Sequence, residues 1–139
     1  MKAHISSVLK KSGLKSTKGR QAILQYLSQE KKPVTVELIE NHLISSHQEI
    51  DNATIYRILE IFVEHGIATR VEFKEGKFRY ELSALPHHHH AICTMCGNIQ
   101  DIEDCDIKSL ETSIAHKLLF TTTSHTMDFF GTCEKCTTL

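Results

Sequence analysis

Four cysteines in two pairs, Cys93-Thr94-Met95-Cys96 and Cys133-Glu134-Lys135-Cys136, constrain this chain more than any other feature it carries. Each C-x-x-C unit can close a tight knuckle on a metal ion, and two units offer four thiolates to one tetrahedral centre. Zinc is the expected occupant, because it has no redox chemistry and accepts a thiolate tetrahedron. Residues 97–132 separate the pairs, so tertiary structure has to bring them together and pin the C-terminal tail onto the strand before Cys93. A thioredoxin-like redox role is disfavoured, since neither pair is expected to open a helix after a parallel strand. Cys105 has no partner and is expected to stand apart from the zinc. The start, Met1-Lys2-Ala3-His4-Ile5, lacks the apolar stretch of a secretion signal, and no apolar run reaches the ~18 residues that span a bilayer. Reduced thiols in a cytoplasmic protein are therefore expected.

The first half reads as helices followed by a hairpin. A short helix over Ile5–Lys11 ends at Gly13, and Thr17 can cap a second running to about Ser28, with Ile23, Leu24 and Leu27 on one face. After Pro33, Thr35 can cap a third helix with Leu38, Ile39 and Leu43 inward. Asp51 can cap a fourth, stopped by Gly66, with Ile55, Leu59 and Phe62 facing the core. The period then becomes two, and Ala68–Phe73 and Phe78–Leu82 read as a β-hairpin around Lys74-Glu75-Gly76-Lys77. This order describes a winged helix over residues 1–82, whose fourth helix would read DNA and whose hairpin would be the wing.

Residues 83–86 form the expected hinge, and residues 87–139 a small α/β unit for dimerisation and metal sensing, so the fold class is α+β. Strands are expected at Ala91–Ile92, Asn98–Ile102 and Thr121–Gly131, with an amphipathic helix over Asp106–Leu118 marked by Ile107, Leu110, Ile114 and Leu118. A unit this small buries little core. It is expected to need a metal staple and a partner subunit.

His87-His88-His89-His90 runs directly into the first cysteine pair. On an extended strand alternate side chains face opposite ways, which puts His88 and His90 on one face and His87 and His89 on the other. One run can thus serve two metal sites. Glu81 and Asp101 are the nearest acids to complete the first, and His125 is the candidate for the second. Mixed imidazole and carboxylate donors accept Zn²⁺, Fe²⁺ or Mn²⁺, so donor type leaves the identity of this divalent metal open.

Charge is split along the chain. Residues 1–82 carry 13 Lys/Arg against 10 Asp/Glu, and residues 83–139 carry 3 against 7. The basic part suits a polyanion. On the fourth helix Thr54, Tyr56 and Arg57 fall on exposed faces near its start; Arg can pair with guanine, while Tyr and Thr can touch thymine methyls or phosphate. Lys15 and Arg20, with Lys10, Lys11 and Lys18, are candidates for phosphate contacts.

Taken in order, these motifs resemble the ferric uptake regulator family over nearly the whole chain. The resemblance runs through Thr17-x-x-Arg20-x-x-Ile23-Leu24, Ala53-Thr54-Ile55-Tyr56-Arg57-x-Leu59 and Gly76-x-x-Arg79-Tyr80-Glu81-Leu82. It continues through His87–His90-x-x-Cys93-x-x-Cys96-Gly97, His125 and Gly131-x-Cys133-x-x-Cys136. It implies a metal-loaded homodimer that represses transcription from an inverted-repeat operator, a four-Cys structural zinc, a sensor set of Glu81, His88, His90 and Asp101, and an auxiliary set of His87, His89 and His125. Two departures follow. Lys31-Lys32-Pro33-Val34 lacks the His that many iron and peroxide sensors of the family place there, which favours zinc over iron or manganese as the regulator. Lys108 stands where members often have a Glu in the auxiliary site, leaving Glu111 or Cys105 to substitute, or the site incomplete. A peroxide sensor of the same family, a zinc-stapled interaction module and a hydrolytic metalloenzyme are the rival readings. The enzyme is disfavoured because no substrate-binding motif accompanies the histidines.

Overall fold

A computed structural model describes residues 2–137. The chain divides into two compact units, Met1–Ala84 and Leu85–Leu139. In the first, α1 (Lys2–Lys11), α2 (Lys18–Gln29), α3 (Val36–Ser45) and α4 (Asn52–Glu64) precede a hairpin of β1 (Ala68–Glu72) and β2 (Phe78–Leu82). Three of the helices start where a short polar side chain takes up a free backbone N–H. Thr17 Oγ1 accepts from Arg20 N at 3.3 Å, Thr35 Oγ1 from Leu38 N at 3.2 Å and Asp51 Oδ1 from Thr54 N at 2.9 Å. Helix α4 ends in a Schellman motif: Gly66 takes φ +70°, and Gly66 N and Ile67 N donate to Val63 O and Phe62 O.

Ile55, Leu59 and Phe62 are fully buried, and Ile58 widens that face. They join Leu9, Ile23, Leu27, Ile39 and Leu43 in one core cluster. Leu38, expected inward, is 43% exposed. The buried face of α3 is built on Val36, Ile39 and Leu43, and Leu38 lies about 100° round the helix from Ile39. Val34 forms an isolated antiparallel bridge with Tyr80 of β2, donating and accepting at 2.9 and 2.8 Å. Tyr80 is itself buried, and its hydroxyl donates to Glu60 of α4 at 3.3 Å. The wing is thereby fixed to the fourth helix from behind.

The second unit contains β3 (His89–Cys93), β4 (Ile99–Ile102), α5 (Lys108–Leu118), β5 (Asp128–Gly131) and a short α6 (Glu134–Thr137). The sheet order is β4-β3-β5, with β3 antiparallel to β4 and parallel to β5. The late strand is shorter than expected. Pairing with β3 begins only at His90↔Asp128, so Thr121–Met127 has no strand pairing among the described residues despite its β-branched content, and His125 lies in an irregular segment. Helix α5 forms where its amphipathic pattern predicts, but none of its residues is buried, and Leu110 and Leu118 are 55% and 69% exposed. Among the described residues, the buried apolar side chains of this unit are Ile92, Cys93 and Ile99. That core is too small to offset chain entropy by itself. No helix among the described residues is long and apolar enough to cross a membrane.

Candidate metal centres

Cys93 ends β3 and opens a knuckle in which Gly97 N donates to Cys93 O and Cys93 N donates to Asn98 O, both at 2.9 Å. Gly97 sits at φ +76°, a left-handed conformation that glycine adopts without strain. Parallel pairing carries Gly131 opposite Cys93, and Thr94 N donates to Gly131 O at 2.8 Å. The second knuckle follows at once, with Cys136 N and Thr137 N both donating to Cys133 O. The sheet thus delivers both pairs to one end of β3. All four sulfurs lie within 4.8 Å of one another, and Cys96 Sγ and Cys133 Sγ are 3.7 Å apart. That spacing is far beyond a disulfide bond. It matches the edge of about 3.8 Å expected for a tetrahedron with Zn–S near 2.3 Å.

The electrostatics agree with a cation between the sulfurs. Backbone N–H groups of Cys96 and Cys133 hold the Cys93 thiol down to about 6, which favours its thiolate. A hydrogen bond to the Cys133 sulfur, with burial and the other two sulfurs, pushes the Cys136 thiol up to about 12. Four thiolates therefore coexist poorly without a positive charge among them. The residues fit zinc.

The His run divides as alternation requires. His87 and His89 rings meet edge-on at 4.7 Å, and His88 and His90 rings at 4.8 Å. On the first face His125 joins the pair: its Nε2 lies 3.1 Å from His87 Nε2 and 3.0 Å from His89 Nε2. Cys105, expected to stand apart from the four-Cys zinc and named with Glu111 as a substitute in this set, is also here. Cys105 Sγ, carried by the loop between β4 and α5, lies 3.1 Å from His89 Nε2 and 3.2 Å from His125 Nε2. Glu111 lies behind this group, with Oε1 3.5 Å from His125 Nδ1. Burial, with His87 and His125 nearby, lowers the His89 pKa and favours the neutral imidazole that binds metals.

On the other face His90 is the middle residue of three strands. Asp101 of β4 and Asp128 of β5 are its register partners, with Oδ1 atoms 3.8 and 3.6 Å from its two ring nitrogens. His88 Nδ1 lies 2.7 Å from Pro86 O. Asp128 was not singled out by sequence; its place is legible only once the parallel register of β5 is known. Glu81 lies on β2, opposite Thr69 of β1.

In the first unit, Tyr56 and Arg57 are exposed on α4, opposite its buried face, and Thr54 is half-buried. Arg57 lies back along its own helix, with Nη2 donating to Thr54 Oγ1 at 3.3 Å and Nε to Ala53 O at 3.4 Å. Arg20 Nη1 donates to the backbone carbonyl of exposed Lys15 at 3.1 Å.

The family model described as "Ferric uptake regulator family" matches residues 11–130. The ferric uptake regulation protein of Bordetella parapertussis is 37% identical over 131 residues, which is 94% of each chain. The ferric uptake regulator of Vibrio cholerae superposes with a TM-score of 0.81 at 36% identity, covering 92% of this chain and 98% of that one. That of Helicobacter pylori, described as having three functional metal binding sites, gives 0.83 at 27% identity, over 97% and 90%. The four-thiolate centre, the winged-helix unit and these likenesses lead to one conclusion: the chain belongs to the ferric uptake regulator family of metal-responsive transcriptional regulators, and it is not an enzyme.

Proposed function

We propose that this protein is a cytoplasmic repressor that grips an inverted-repeat operator as a metal-loaded homodimer. The observation that carries DNA reading is the division of α4: Ile55, Leu59 and Phe62 seat it in the core, while Tyr56 and Arg57 are exposed on its other side, where a groove could receive them. Arg57 is the residue to read a base, Thr54 and Tyr56 flank it, and Lys15 and Arg20 hold phosphate. Arg57→Ala in the metal-loaded protein is expected to cost about 1–3 kcal/mol of operator affinity at fixed salt, with non-specific DNA binding little changed. An equal loss on both duplexes would move Arg57 to the backbone.

Zinc is the proposed resident of the four-thiolate centre. His88, His90 and Asp101 are the proposed core of the sensor set, and Glu81 as its further ligand is an expectation carried by the resemblance, tested by Glu81→Ala. The sequence favours zinc as regulator, through the missing His at Lys31–Val34. Donors that are all imidazole and carboxylate, together with the ferric uptake names of similar proteins, favour Fe²⁺ instead. A divalent ion there supplies positive charge and fixed coordination geometry. His90, flanked by Asp101 and Asp128, holds its ring across three strands, so occupation of that site biases the sheet it belongs to. His90→Ala should abolish metal-dependent operator retardation while zinc stays on the four cysteines. Retention of full metal dependence would exclude His90 as a ligand. Titrating Fe²⁺, Mn²⁺ and Zn²⁺ against operator binding under anaerobic conditions identifies the regulator.

A homodimer is proposed because β5 is an edge strand and α5 buries nothing in the single chain. Phe129, Leu110, Leu118 and Phe120 form apolar surface that a second copy would cover. Five free thiols suit the reduced cytoplasm.

A further inference from the structure

The geometry points to Cys105 as the fourth ligand of a closed, four-coordinate zinc centre with His87, His89 and His125, separate from the four-thiolate centre and from the carboxylate-bearing face of His90. This rests on reading the His87 cluster as a metal centre, and it does not depend on operator binding. His87, His89 and His125 converge through Nε2, at 3.2, 3.1 and 3.0 Å for the three pairs. Cys105 Sγ closes the group at 3.1 Å from His89 and 3.2 Å from His125, with all four donor atoms within 4.8 Å.

Hydrogen bonding does not account for this packing. Each imidazole nitrogen has one in-plane direction, occupied either by a proton or by a lone pair. Among three Nε2 atoms in mutual contact around one point, at least one pair must set two protons or two lone pairs against each other. One cation at that point satisfies all of them together with the thiolate. The other ring nitrogens are held from outside, as metal-bound histidines usually are: Glu111 stands at His125 Nδ1 and the backbone of Met127 hydrogen-bonds the His89 ring. The stretch after β4 therefore supplies a ligand, Cys105, and then a supporting carboxylate, Glu111. Lys108, an ammonium on the same stretch, can supply neither.

The donor set decides the class of ion. Three imidazoles and one thiolate suit Zn²⁺, with Co²⁺ as its spectroscopic substitute, and are a poor match for Mn²⁺ or Mg²⁺. Four protein ligands leave no open position, so the centre holds structure and does not catalyse. Geometrically it ties β3 to the loop before α5 and to the irregular segment before β5.

The test uses the full chain with zinc retained on the four-thiolate centre, confirmed by metal analysis. Co²⁺ titration should add a sulfur-to-cobalt charge-transfer band with tetrahedral ligand-field absorption. Cys105→Ser should lack that band, keep the four-thiolate zinc and bind Zn²⁺ at this centre at least about tenfold more weakly, the loss that even supporting residues cause. Cobalt bound to the wild type without a sulfur band, or a band persisting in Cys105→Ser, overturns the proposal. On the unaltered chain, Zn²⁺ beyond the structural equivalent should protect Cys105 from alkylation, read by peptide mass spectrometry; an unchanged alkylation rate also overturns it. A chain that fails to bind operator yet passes these tests sinks the repressor reading alone.

Discussion

Replacing Cys133 with Ser, or stripping zinc with a strong chelator, is expected to unfold residues 85–137 while leaving the helical unit folded. The reason is the imbalance between the two units. Among the described residues, the first has a continuous core of seventeen buried hydrophobic residues, whereas Ile92, Cys93 and Ile99 are the hydrophobic residues buried in the second. A structural zinc centre contributes apparent binding energy of about 10–16 kcal/mol, which is folding energy when no site exists in the unfolded chain. Its loss is comparable to the whole stability of a typical small domain. Amide hydrogen exchange read by region provides the measurement: protection should vanish across β3–β5 and persist in α2 and α4. Protection retained throughout β3–β5 after zinc release would show that the thiolates are not the staple. The same variant should lose operator binding through loss of the dimer, with Arg57 untouched.

If the proposed homodimer forms through β5, Phe129→Asp is expected to convert it to monomers and to cut operator affinity by about 10²–10⁴-fold. Phe129 is 52% exposed on β5, and Leu118 and Phe120 add further exposed apolar surface. A carboxylate placed in a covered apolar interface carries a desolvation penalty that no partner there relieves. Two winged helices held together bind both half-sites at high effective concentration, and separated protomers lose that advantage without losing a single base contact. Sedimentation velocity checks the first part, and retardation of full and half operators checks the second. A dimer that persists in Phe129→Asp would place the interface elsewhere. Normal metal content in the variant guards against reading misfolding as dissociation.

Helix starts in the first unit are local events, and they were readable from local chemistry. Thr17, Thr35 and Asp51 each precede an apolar-periodic run and each accepts the N–H three residues on. The face of α4 follows from its spacing alone, because a helix in a one-sided core repeats every 3.6 residues. Leu38 shows where periodicity stops: a leucine one step off the buried stripe fits the pattern loosely, and only the packing of Val36 and Ile39 decides against it. In the second unit the same rule marks α5 as amphipathic, and the described residues of one chain offer its apolar stripe no counterpart. His125 was assigned to a strand on β-branched composition, but a strand exists only where a partner lies in register, and pairing begins at Asp128.

By itself the order of residues determined which donors exist and how they are grouped: two C-x-x-C knuckles, a His run whose alternate members face apart, and a capped helix carrying Arg57. Those properties are short-range, governed by bond geometry and by the period of a strand or helix. Tertiary structure alone decided that Cys105 joins His87, His89 and His125, that Glu111 stands behind His125, and that Asp128 flanks His90. Each of these depends on where distant segments cross, which is set by the register of three strands and not by any spacing along the chain.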